Sequence, residues 1–425
     1  MKSSAPLAQA LRDASSIVAG VAGGKSLADQ FDRTVQDGLQ TPRAALIDLA
    51  HGTLRRYGRV QAIVDVLSRR GRPDRTVEAL LWCSLYALES GRYADYTVVD
   101  QTVRACGLLE RWSAKGYVNA VLRAYLRERA SIDTRIQGDV EARHQHPAWW
   151  IKILRTSYPE RWQEILAAGN SHPPMCLRVN RRRADPADYV RRLAAEGISA
   201  RPIGVEAVLL DQPVPVDRLP GFHDGAVSVQ DAAAQRAAYC LDLRSGQRVL
   251  DACAAPGGKT AHILEVAEAE LTALDLDPAR CTRIERNLER LGLQARVVRA
   301  DCTKASDWWT GEPFDRILAD VPCSASGVAR RHPDVKWLRR EQDPRQFAAR
   351  QSAILDALWQ VLAPDGKLLY ATCSVFPQEN DEVVEAFVAR APRARRLALP
   401  DGSAAQWLPD AEHDGFYYAL IEKQA

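Results

Sequence analysis

The sequence has no C-x-x-C pair among its nine cysteines, no charged-then-apolar segment at its start, and no apolar run long enough to cross a bilayer. The first two absences argue against a zinc site or a disulfide framework and lead to the expectation of reduced thiols in a cytoplasmic chain without metal. The third argues against a helical membrane span. Charge of one sign is also scarce. A formal net charge of +3 does not announce nucleic acid, so such a partner has to be argued from local clusters. What remains is an ordinary globular composition, 46% hydrophobic and 26% charged over 425 residues, enough for two or three domains.

Two further absences narrow the central stretch. Arg248, Val249 and Leu250 run into Asp251, and then Ala252-Cys253-Ala254-Ala255-Pro256-Gly257-Gly258-Lys259 leads into Thr260, Ala261, Ile263 and Leu264 at helical spacing. This is the strand, loop and helix entry of an open α/β sheet. The small side chains let backbone amides approach a ligand closely, and the helix beyond offers unpaired N–H groups. A dinucleotide fingerprint needs G-x-G-x-x-G, and only Gly257-Gly258 is offered; a P-loop needs glycine where Cys253 stands. There remains a nucleoside-type cofactor whose ribose is held by an acid on the next strand, supplied by Asp275 at the end of Leu271–Asp275. A capping loop without ligand is the alternative.

From Leu7 to Arg129 the pattern is helical. Thr41-Pro42 reads as an N-cap with proline at the first helical position, followed by Ala45, Leu46, Leu49, Ala50 and Leu54 on one face. Leu81, Leu85, Leu88, Val98, Val99 and Val103 continue the pattern, which indicates a helical bundle. Arg55, Arg56, Arg59, Arg69, Arg70, Arg72 and Arg75 form either a solvated face or an RNA-binding one. His146-Pro147-Ala148-Trp149-Trp150 marks a change of organisation, with proline ending a helix and the tryptophans packing a junction. Met175–Asn180 reads as a strand, followed by Arg181, Arg182 and Arg183 and then by Arg191 and Arg192. Carried by a small α+β module over 145–235, these arginines are either surface residues or a grip on a phosphate backbone.

Beyond residue 236 strands and helices alternate as in a doubly wound sheet. The segment from Pro278 to Leu291 is a helix with Gly292 just past its end. Further strands finish on Asp301, Asp320 and Cys373, the edge where open α/β sheets bind ligands. Asp320-Val321-Pro322-Cys323 and Thr372-Cys373-Ser374 place one acid and two thiols on two strands expected to be neighbours. A thiolate that adds to carbon 6 of cytosine, with an acid protonating N3, turns carbon 5 into a nucleophile able to accept a methyl group. The residues alone do not rank the two thiols. Cys83, Cys106, Cys176, Cys240 and Cys281 read as small buried hydrophobes, and so does Cys302.

Asp251–Thr260, Ala319–Gly327 with Arg330-Arg331-His332-Pro333-Asp334 beyond it, and Tyr370–Val375 followed by Glu379-Asn380 resemble the RNA cytosine-C5 methyltransferases. Tyr117–Arg123 resembles the closing helix of a NusB-like RNA-binding bundle. The resemblance spans essentially the whole chain. It implies a multidomain α and α/β protein: an all-α NusB-like bundle over 1–140, the small module over 145–235, and a Rossmann-like methyltransferase domain over 236–425. It implies S-adenosyl-L-methionine as cofactor, 16S ribosomal RNA as partner, and a monomer. It further implies Cys373 as nucleophile, Cys323 as the group assisting breakdown of the covalent intermediate, and Asp320 at the base near N3. The loop Ala252–Lys259 would hold the methionine part of the cofactor, Asp275 the ribose and Asp301 the adenine side. Because a Pro-Cys pair supplies the nucleophile in DNA cytosine-C5 methyltransferases, Cys323 stays a rival for that role. A DNA methyltransferase would need a target-recognition segment for base flipping, and no candidate for one is visible. A non-catalytic assembly protein would leave the cysteines and the loop without purpose.

Overall fold

The computed structural model describes residues 7–36, 41–68 and 71–425. They form two compact units: the described part of Met1–Ser171 with Ala329–Glu341, and His172–Val328 with Gln342–Ala425.

The first unit is helical, with α1 (Leu7–Ala22), α2 (Leu27–Gln36), α3 (Arg43–Arg55), α4 (Tyr57–Leu67), α5 (Arg75–Ser90), α6 (Asp95–Leu108), α7 (Lys115–Ile136), α8 (Val140–His144), α9 (Ala148–Ser157) and α10 (Trp162–Asn170). Helix α5 is buried without interruption from Val77 to Leu88, and a helix buried on every face needs neighbours all round. Asp74 caps its start by accepting from the Thr76 and Val77 amides, and Gly91, at φ 66°, ends it. Helix α3 packs so close that a Cβ on Gly52 would lie 2.0 Å from the Tyr86 ring.

Three expectations for this unit change. Pro42, not Thr41, is the N-cap of α3, because the Thr41 hydroxyl donates to Asp13 Oδ2 on α1 instead (2.5 Å). Pro147 opens α9 rather than closing a helix, since its fixed φ suits a helix start. The arginine cluster is also largely engaged within the unit. Arg55 is buried, Arg56 and Arg59 pair with Glu89, Arg59 also reaches Asp133, and Arg72 pairs with Asp65 and Glu78. Arg69 and Arg70 lie outside the described residues.

The middle of the inserted stretch Ala329–Glu341, Pro333 to Lys336, is buried, and polar anchors hold it. Asp334 accepts from the Leu27 amide at 2.9 Å. The ammonium of buried Lys336 donates to the carbonyls of Arg55 and Gln145 and to Asn170 Oδ1. The Trp337 indole donates to the Leu54 carbonyl.

The second unit begins with a small sheet of β1 (Met175–Val179), β2 (Ala200–Pro202), β3 (Ala207–Leu210) and β4 (Val227–Val229), in the order β2-β3-β1-β4, with helix α11 (Pro186–Ala195). Then follow α12 (Ala232–Cys240), β5 (Gln247–Asp251), α13 (Gly258–Val266), β6 (Ala269–Asp275), α14 (Pro278–Leu291), β7 (Arg296–Arg299) and β8 (Phe314–Asp320). After the short helix α15 (Val335–Leu338) of the first unit come α16 (Asp343–Val361), β9 (Leu362–Thr372), α17 (Asp381–Arg390), β10 (Ala394–Leu397), β11 (Gln406–Trp407) and β12 (Phe416–Lys423). The large sheet runs β10-β12-β9-β8-β5-β6-β7. From β9 to β7 it is parallel, whereas β12 enters antiparallel between β10 and β9.

Buried residues of α12, α13 and α14 form the core on one side of this sheet, and those of α16 and α17 form the other. The five cysteines read as core residues are buried, and so is Cys302.

Arginines in and just after β1 stitch this unit together. Arg178, fully buried, donates through Nε and Nη2 to both oxygens of Glu265 on α13, and through Nη1 to the Gly258 carbonyl and Gln230. Arg182 donates to the Glu265 carbonyl at 3.0 Å and Arg183 to the Leu291 carbonyl at 2.8 Å, both at C-terminal turns where cations are favoured.

Removing one partner of a buried ion pair strands the other. Arg178→Ala is therefore expected to destabilise the protein by about 3–5 kcal/mol in denaturant unfolding, and Arg178→Met with Glu265→Leu to recover most of that. A single variant as stable as the parent would show that the pair is energetically idle.

Candidate active site

The site lies where the parallel strands end. The main chain of the loop after β5 is fastened to both neighbouring strands: Ala252 N–H donates to the Leu318 carbonyl on β8 and Ala254 N–H to the Leu274 carbonyl on β6, each at 2.9 Å. Gly257 turns the chain with φ +93°, and a Cβ there would lie 3.1 Å from the Ile284 backbone, so the position takes glycine for both conformation and space. Helix α13 starts at Gly258, and its first-turn amides have no partners further back in the helix.

Three acids line this edge. Asp251 is fully buried; Oδ2 accepts from the Thr260 hydroxyl at 2.7 Å, while Oδ1 has no hydrogen-bond donor among the described residues. Burial pushes its pKa up to about 7 against the opposing Thr260 bond. Asp275, also buried, accepts from the Ala255 amide at 3.1 Å. Asp301 lies just past β7 and accepts from the Thr303 amide and hydroxyl, a pair of bonds that holds its carboxyl below the usual range. A loop bare of large side chains, an unmet buried acceptor and an acid at the next strand end suit a cofactor bearing hydroxyls and an ammonium.

On the other side of β5, β8 and β9 bring the reactive groups together. Asp320 is in register with Ala371, and Val321 N–H donates to the Ala371 carbonyl at 3.0 Å, which carries the ladder past the strand end. Cys323 and Cys373 consequently leave side by side, with their sulfurs 3.4 Å apart. The hydrogen bond with Cys373, followed by burial, pushes the Cys323 thiol well above its usual pKa. Gly327 N–H donates to the Cys373 carbonyl at 2.8 Å and so ties the two loops.

The side chain of Lys259 turns toward β8: its ammonium donates to Asp320 Oδ2 at 2.6 Å and lies 5.1 Å from the Phe416 ring centroid. Burial pulls its pKa down, but the Asp320 carboxylate outweighs that and, with Cys373 also contributing, raises it. The structure thus gathers Lys259, Asp320, Cys323 and Cys373 at one strand edge and the loop with Asp275 beside them. Sequence reasoning assigned no role to Ser324, Ser374 or Glu379, which form a buried network behind the cysteines; a serine following each cysteine was the available signal. Among the described residues there is no group of metal-ligating side chains and no helix long and apolar enough to cross a membrane.

The chain matches the 16S rRNA methyltransferase RsmB/F family over residues 238–422. It also matches the ferredoxin-like domain of RsmF/B-like methyltransferases over 146–217 and the NusB family over 12–127. It is 44% identical to ribosomal RNA small subunit methyltransferase B of Vibrio cholerae, covering 94% of each chain. With the protein of the same name from Pseudomonas syringae it is 42% identical, covering 97% of this chain and 96% of the other. Among solved structures, that of PH0851 shares the fold with a TM-score of 0.80 at 20% identity, covering 98% of this chain and 99% of the other. A methyltransferase homolog from Pyrococcus horikoshii aligns with a TM-score of 0.59 at 27% identity, covering 67% of this chain and 97% of the other.

The raised pKa of Asp251 has a consequence for stability. The folded chain holds this proton more tightly than the unfolded chain does, so the stabilisation is complete below about pH 4 and is lost as pH rises through about 7. Asp251→Asn, which keeps an acceptor for Thr260, should gain stability relative to the parent between pH 5 and pH 8, by on the order of 1–3 kcal/mol. Parallel stability curves for the two proteins across that range would refute the assignment.

Proposed function

Given that the chain belongs to the 16S rRNA methyltransferase RsmB/F family and is a ribosomal RNA methyltransferase, we propose that it methylates carbon 5 of a cytosine in 16S ribosomal RNA through a covalent bond from Cys373. The observation that carries this reading is the pair of sulfurs 3.4 Å apart beside the Lys259–Asp320 pair. S-adenosyl-L-methionine, when bound, supplies the methyl group as an electrophile. Its methionine end would be held by Ala252–Lys259, its ribose by Asp275 and its adenine side by Asp301.

The chain's own residues do the rest. The Cys373 sulfur adds to carbon 6, and the electrons of the 5,6 double bond move toward N3 and leave carbon 5 nucleophilic. Asp320 contacts the base near N3. Because Asp320 already accepts from Lys259, the ammonium is the proton source at that position and the carboxylate orients it. Once carbon 5 carries the methyl group, a solvent water takes the carbon-5 proton, the electron pair left behind restores the 5,6 double bond and expels Cys373 as a thiolate, and the N3 proton returns to Lys259. Cys323, adjacent to the departing sulfur, assists this step.

The environment of the thiols favours this division over the reverse. Cys323 holds its proton tightly, whereas the charge of Lys259 interacts with Cys373. Acting on ribosomal RNA, the enzyme works in the cytoplasm as a monomer, with domains over 1–140, 145–235 and 236–425.

Cys373→Ala should abolish methyl transfer to unmodified 16S rRNA. Cys323→Ala should instead leave protein covalently attached to RNA, seen as a shifted band on a denaturing gel. The opposite pair of phenotypes would exchange the two roles.

A further inference from the structure

Each of the paired cysteines is followed by a serine, and both serines bind one carboxylate. Glu379, fully buried, is the last residue of a single 3-10 turn, Pro377–Glu379, just beyond the Cys373 loop. Its Oε1 accepts from the Ser324 amide at 2.7 Å and from Gln351 Nε2 at 3.4 Å. Its Oε2 accepts from the Ser324 hydroxyl at 2.5 Å and the Ser374 hydroxyl at 2.6 Å. Ser326 completes the network, with its hydroxyl 2.9 Å from that of Ser374 while it accepts from the Val375 amide. The Glu379 main chain is fixed too, since Tyr370 donates to its carbonyl at 2.6 Å. Burial pushes the Glu379 carboxyl above its usual pKa, and the four donors oppose that by favouring the acceptor-only, ionised form.

We propose that Glu379 is a positioning residue: a buried carboxylate that clamps the loop of Cys323 to the loop of Cys373 and thereby sets the separation of the two sulfurs. Its kinetic consequence rests on the reading of the two cysteines given above; its geometric consequence does not. The β8–β9 ladder brings the loops side by side, and past Val321 the Gly327 amide donates to the Cys373 carbonyl. Glu379 binds the residue next to each sulfur, which is where a small displacement most directly changes their distance. A non-polar side chain there would leave two serine hydroxyls and an amide without their acceptor in a buried place, and the loops would part to find others.

The sulfur separation can be read without RNA or cofactor. Diamide oxidises a pair of close thiols to a disulfide, taking up both protons and both electrons as it becomes a hydrazine. The full-length parent, treated with diamide and digested, should yield the Cys323–Cys373 disulfide peptide by mass spectrometry. In Glu379→Ala that disulfide should form at least about 10-fold more slowly, and kcat should fall about 100-fold with KM for RNA little changed, as expected of a displacement near 1 Å. Glu379→Gln, which keeps an acceptor and lets the serine hydroxyls rotate, should restore most of the oxidation rate. If Glu379→Ala does not fold, Ser324→Ala, which loses one hydroxyl tie, should slow the disulfide about 3-fold. Equal oxidation rates in parent and folded variants would overturn the clamp. Slowed oxidation with unchanged kcat would keep the clamp and sink the two-cysteine reading instead.

Discussion

The parallel pairing of β8 with β9 is the constraint on which the rest depends. Parallel strands finish at a common edge, and the register that sets Asp320 opposite Ala371 places the following residues of each chain at one height. An acid, two thiols and a lysine from a third element then meet without any one loop having to reach far. A shift of the register by one residue would turn Asp320 to the other face of the sheet and dissolve the site while leaving each element intact.

Around that edge, charges are kept in pairs. A buried ion standing alone costs several kcal/mol, and the structure meets this cost in different ways. Lys259 and Asp320 answer each other directly. Glu379 is answered by hydroxyl and amide donors. Arg178 and Glu265 form a fork-to-carboxylate pair, while the third nitrogen of that arginine reaches the carbonyl of Gly258. This last contact joins the small sheet to the first residue of α13, one residue from Lys259. Asp251 is the exception: with one oxygen unmet and its carboxyl fully buried, the fold favours its protonated form and pushes its pKa up to about 7.

The strand ends were legible because they are local. Apolar runs closing on Asp251, Asp275, Asp320 and Cys373 fix where each strand stops, and a parallel sheet aligns those stops. The helix Pro278–Leu291 was equally legible from proline at its start and Gly292 at its end. Partners were not legible. The arginines between positions 55 and 75 read as a possible RNA-binding face, yet Glu89, Asp133, Asp65 and Glu78, which absorb much of their charge, sit on other helices or turns. Thr41 has the side chain of an N-cap, but Asp13, 28 residues earlier, competes for its hydroxyl and wins. Lys259 stands in the cofactor loop by sequence and belongs to Asp320 by geometry. The antiparallel entry of β12 beside β9 had no local signal, because strand order is decided by which faces remain to be covered.

The residues behind the cysteines show why such a site can be rigid before any substrate arrives. Ser324, Ser326, Ser374 and Glu379 are all buried, and each hydroxyl has a partner within the group, so the network gives up nothing to solvent. Gly327 and Gly415 approach so closely that a Cβ on Gly327 would lie 2.3 Å from the Gly415 carbonyl, and Gly415 N–H donates back to Gly327 at 2.9 Å. The ordering of these loops is thus a cost met in folding, offset by hydrogen bonds and packing that exist without RNA. Groups already in place need no reorganisation as charge develops on a base, and that is where a fixed polar environment lowers a barrier. The same argument explains the use of small residues and hydroxyls behind the thiols: larger side chains would hold each loop by packing alone, whereas a shared carboxylate fixes one loop relative to the other.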